Sequence, residues 1–286
     1  MRVPTLSGAC QNLWDPTEAA KVMVPLTGVL AGFMFSAIVV LITVNRPTGT
    51  GRTEAFFALR LQVIALMTAV VAASSNINIA GEKVCLRART EWVLSAGMLW
   101  TAVTLMSISL IWLLVAYYWT SPEVLRLLIG AAYFVLFGRL VGALLSANSY
   151  VSDLLPGSHV AFHAATWIAT VLAVCPTLML ASRTQRPHAW ETRITACSRA
   201  AITYLVLSFV GFDLVAATEA THWSTPTKPL VYLCGVLTLL PALLLFPFIF
   251  RSIPHPTAQN ETAGSDLHDS GHRQCRTESP GRLRER

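Results

Sequence analysis

"LLIGAAYFVLFGRLVGALLS", residues 127–146, is apolar throughout apart from a few small or weakly polar side chains and a single charge, Arg139. A run of this length is what a helix needs to cross a hydrocarbon layer of about 30 Å at about 1.5 Å per residue. A charge at such depth costs at least ~2.5–3.5 kcal/mol when it meets lipid alone, so it is expected to face protein or a polar cavity and to mark a site. Reading this stretch as a membrane span decides the architecture.

The rest of the chain repeats the pattern. Of 286 residues 54% are hydrophobic and 13% charged, with mean hydropathy +0.56; soluble domains carry about 25% charged residues. Seven apolar windows stand out: 22–44, 55–75, 93–117, 124–146, 158–181, 200–217 and 230–250. Between them lie short breakers such as "NRPTGTGR" and "LLPGS", while Pro176 and Pro241 fall inside windows and predict kinks rather than ends. The expected fold is an all-α membrane protein, a seven-transmembrane-helix bundle without a soluble domain. It divides into an extracytoplasmic tail (1–21), the helical domain (22–250) and a tail (251–286) whose polar, Pro- and Ser-containing composition predicts disorder.

Net charge is +6, but the basic residues are scattered between the apolar runs, which argues against nucleic acid as a partner and for the lipid bilayer. Arginine outnumbers lysine 18 to 3, which points to a GC-rich bacterial source and hence to the plasma (cytoplasmic) membrane. The N-terminal stretch lacks the apolar core of a cleavable signal peptide, so the first span is expected to act as the targeting signal. Loops on the side of the N-terminus hold six Lys or Arg residues and those on the other side nine, before the distal tail. The positive-inside rule then predicts the N-terminus outside and the C-terminus in the cytoplasm.

Asp213 lies within the sixth window, and its depth along that helix matches the depth of Arg139 in the fourth. An Arg139–Asp213 ion pair, structural or ligand-binding, is therefore expected in the outer half of the bundle. Gly138, Gly142 and Ser146 form a small-residue stripe that predicts close helix packing, either inside the bundle or with a helix-helix partner or second copy. His159 and His163 are one helical turn apart and can offer two imidazoles to Zn²⁺; no other cofactor is expected. Cys10 and Cys85 both fall outside the membrane in this topology and predict a disulfide.

No phosphate loop, nucleophile elbow or haem motif occurs. The last window has no histidine, unlike seven-span metal-dependent hydrolases, and no lysine for a Schiff base. With no catalytic residues expected, a non-catalytic membrane protein (transporter-like, channel-like or sensory) is the first reading. A membrane-embedded metal-dependent enzyme using His159 and His163 is the second, and a structural or assembly subunit the third.

Overall fold

A backbone surrounded by apolar groups must satisfy its N–H and C=O groups within the segment, and the helix does this. The computed structural model describes residues 15–43, 51–116, 122–155, 157, 159–183, 190–218, 223 and 227–252. Nearly all of them are helical and none is in a strand. The helices are α1 (Pro16–Thr43), α2 (Gly51–Ala80), α3 (Cys85–Ala116), α4 (Pro122–Leu154), α5 (His159–Arg183), α6 (Trp190–Ala217) and α7 (Lys228–Ser252). All seven are long and apolar enough to cross a membrane.

Most helices overrun the windows expected from hydropathy. α1 starts six residues early because Asp15 caps it: the Thr17 N–H and hydroxyl both donate to its Oδ1 at 2.8 Å, and Pro16 takes the first helical position, where no N–H is needed. The Thr17 hydrogen bonds hold the Asp15 carboxyl below its ordinary range. α2 continues through "SSNINIA" to Ala80. There Glu82 Oε1 accepts the N–H groups of Lys83 and Val84, each at 2.8 Å, and α3 begins at once. The expected loop before residue 93 is therefore mostly helix. Between α4 and α5 the chain turns at Gly157, whose φ of 105° suits glycine. The 253–286 tail lies outside the described residues, as does most of the N-terminal tail.

Helix α3 runs antiparallel to both α2 and α4. Ser109 donates to the Ala58 carbonyl at 2.7 Å and Ser95 to Asn76 at 2.9 Å, fixing the register of α3 on α2. Arg89–Asp153 and Thr90–Tyr150 do the same for α3 on α4, and Phe137 of α4 meets Phe246 and Phe250 of α7 edge-to-face. α3 sits at the centre, packed against α1, α2, α4, α6 and α7. The outer helices turn large apolar side chains away from the protein, among them Phe33, Phe134 and Leu172. A soluble monomer rarely shows an apolar surface of that extent; a lipid-embedded bundle requires it.

Candidate functional site

Threonine in an apolar helix has no water to bond, so its hydroxyl donates to a carbonyl of the preceding turn. Thr101 donates to the Gly97 carbonyl at 2.8 Å and Thr104 to that of Trp100 at 2.7 Å. Each hydroxyl proton is thereby committed to α3, and the oxygen is left to accept. Arg139, on α4, donates to both: Nη2 to Thr101 at 2.5 Å and Nη1 to Thr104 at 3.2 Å. The arginine is buried, with 5% of its surface exposed. From α6, Tyr204 brings its hydroxyl to the same place, facing Thr101 and lying close enough to the guanidinium to interact with it electrostatically. That approach depends on Gly97, where a Cβ would stand 2.8 Å from the Tyr204 oxygen. One turn further along α6, Ser208 is fully buried and faces the same hydroxyl without completing a hydrogen bond.

Among the described residues no carboxylate joins this cluster. Glu91 lies ten residues before Thr101 on α3, about 15 Å along the axis. Asp213 is nine residues beyond Tyr204, about 13 Å, and it is exposed on the outer surface of α6. The expected Arg139–Asp213 pair is therefore not formed. The reason is axial as well as rotational: α6 begins at Trp190, so Asp213 lies about 13 Å beyond the level of Arg139 and Tyr204, and it sits on the face that carries exposed Phe209, Val210 and Leu214, while Arg139 turns toward α3. Among the described residues no side chain neutralises the guanidinium, and the groups that hold it are hydroxyls.

A second polar group closes the end of the bundle where α3 begins. Arg87 pairs with Glu82, lies 3.9 Å from Glu91, and donates to the Thr218 carbonyl at the end of α6 at 3.0 Å. The Trp223 Nε1 donates to the Thr218 hydroxyl at 2.8 Å, so this corner is tied down twice. Arg89 pairs with Asp153 of α4, and Thr90 and Tyr150 share a hydrogen bond of 2.8 Å. Cys85 heads this corner and is disulfide-bonded, while Cys175, Cys197 and Cys234 are free. Cys10 lies outside the described residues.

The chain matches no protein-family model, no curated protein and no solved structure.

His163 is half-buried on α5, which packs against α4 and α7, and its carbonyl accepts the Thr166 hydroxyl at 2.9 Å. The side chain of His159 lies outside the described residues. No group of three or more His, Cys, Asp or Glu residues with metal-binding geometry occurs among the described residues. Of the two packing modes expected for the small-residue stripe, its position on α4 leaves the outward one. Gly138, Gly142 and Ser146 are exposed, and a Cβ on either glycine would meet nothing within 4 Å. Arg139 and Leu140 turn inward, while Gly138, about 100° around α4 from Arg139, lies on the outward side.

Several site residues had no prior signal. Tyr204 looks like any aromatic residue in an apolar run, and Glu91 stood in an apparent loop until α3 proved to start at Cys85. Thr101 and Thr104, three apart and hence on one helical face, were the readable clue.

Proposed function

We propose that this chain is a multi-pass protein of the plasma membrane that binds a small polar solute within its helix bundle, as a transporter, channel or sensor, rather than catalysing a reaction. The observation that carries this reading is Arg139, buried mid-bundle and held by Thr101 and Thr104, with no carboxylate near among the described residues. Intramembrane charges are rare and are kept where a substrate or ion path uses them. A purely structural residue at this position would be better served by leucine, because an unneutralised buried charge costs stability. The test is uptake of labelled solutes by proteoliposomes across a panel of anionic, cationic and neutral compounds. Arg139→Gln should abolish any uptake the native chain supports, and uptake unchanged in that variant would overturn the reading.

We assign the N-terminus to the outside. Two observations support this: the nine-to-six distribution of Lys and Arg and the disulfide at Cys85, which belongs in an oxidising compartment. Its partner in this assignment is Cys10, five residues before the α1 cap. Cys275, the other cysteine outside the described residues, follows the opposite end of α7. A membrane-impermeant reagent should label these two thiols only after reduction with an impermeant reductant from outside.

The outward Gly138–Gly142–Ser146 stripe favours a second role, as a subunit that docks on another helix or a second copy. Gly142→Leu, which has open space around its Cβ, should leave the fold intact and abolish any cross-linked dimer; a dimer unchanged by it would dismiss this role.

A further inference from the structure

The polar atoms around Arg139 do not balance. The guanidinium has five N–H donors, and its hydrogen bonds to Thr101 and Thr104 use two of them. The Tyr204 hydroxyl and the Ser208 hydroxyl, which has no hydrogen-bond partner, face the same region with donors of their own. The acceptors are few. The threonine oxygens already receive Arg139, and their protons are committed to α3 carbonyls. The cluster thus holds a surplus of donors and a net positive charge, and what completes it must accept hydrogen bonds and carry negative charge. Space limits the choice, because Arg139 is 5% exposed and Ser208 fully buried. Burial of this depth favours the smallest occupant, and a single-atom anion needs less room than an organic carboxylate.

We infer that Arg139, Tyr204 and Ser208 form a binding site for a small monovalent anion of halide size. This rests on the reading of Arg139 as a ligand-binding residue and names its ligand class. Thr101 and Thr104 position the guanidinium, leaving its remaining N–H groups for the ion. Tyr204 and Ser208 supply hydroxyl donors from α6, so the ion bridges α4 to a helix that Arg139 does not itself hydrogen-bond.

The experiment follows thermal unfolding of the purified full-length chain in nanodiscs. Sodium chloride, sodium bromide and sodium gluconate are compared at constant ionic strength. Chloride and bromide should raise the unfolding temperature with a saturating dependence on concentration that gluconate lacks, since a ligand bound only by the folded state stabilises it. Tyr204→Phe and Ser208→Ala, which keep the charge, should each weaken chloride binding about tenfold or more, and Arg139→Gln should eliminate it. A native protein indifferent to the exchange of chloride for gluconate overturns the assignment without recourse to any variant. If Arg139→Gln does not fold, the two α6 variants decide: equal chloride affinity in both and in the native chain places the effect elsewhere and overturns it. Arg139-dependent uptake of another solute, with no halide effect, would sink the anion assignment alone. A halide effect lost in these variants, without any uptake or sensing, would leave the ion site standing and remove the transport reading.

Discussion

Gly97 carries no side chain where Tyr204 needs the volume. Alanine there would put a Cβ 2.8 Å from the Tyr204 oxygen, a distance that forces one helix to move. Gly97→Ala should destabilise the protein by about 1–3 kcal/mol, the usual range for overpacking, measured as a lowered unfolding temperature in detergent. Adding Tyr204→Phe removes the offending oxygen and should recover much of that loss. Gly138→Ala and Gly142→Ala meet open space and should change monomer stability by no more than about 0.5 kcal/mol. At this scale the sequence disclosed the anomaly but not its environment. A lone arginine in an apolar run is conspicuous, whereas its neighbours are ordinary threonines and a tyrosine from distant segments. Depth counted from the edge of an apolar window misses where a helix begins, and the rotation of each helix about its axis depends on its packing; both separate Asp213 from Arg139.

Helix α3 connects the polar features of the molecule. Its first two turns hold Arg87, Arg89, Thr90 and Glu91, and its middle holds Thr101 and Thr104. Hydropathy placed its start near residue 93 because charged residues lower a sliding average; Arg87, Glu82 and Glu91 compensate one another and permit the helix to begin at Cys85. Arg87→Met should therefore cost about 1–3 kcal/mol by leaving buried Glu91, 2% exposed, without its cation. Glu91→Gln in that background should restore part of the loss, and no recovery would show that Glu91 does not depend on Arg87. The Thr90–Tyr150 hydrogen bond between α3 and α4 should contribute about 0.6 kcal/mol in a cycle of Thr90→Val and Tyr150→Phe, the average for such bonds between membrane helices.

For the whole molecule, the proposed topology, in which each of the seven helices crosses once, puts the two ends of the chain on opposite sides. Reporter fusions ahead of residue 15 and after residue 252 should give opposite responses, and a common response would break the topology. The helix count and the lipid-facing exterior were legible because length and apolarity are local properties of the chain. The centrality of α3 was not, since helix neighbours depend on contacts between distant segments.

Arg139 takes its hydroxyl partners from α3, the helix immediately before its own in the chain. During synthesis α3 reaches the bilayer ahead of α4, so Thr101 and Thr104 are in place when the guanidinium leaves the insertion machinery, and the cation need not confront bare lipid. A nascent chain ending after α4 should insert both helices. Thr101→Val with Thr104→Val should lower the insertion of α4 while leaving that of α3 untouched, which ties the order of the helices along the chain to whether an arginine can be carried at this depth.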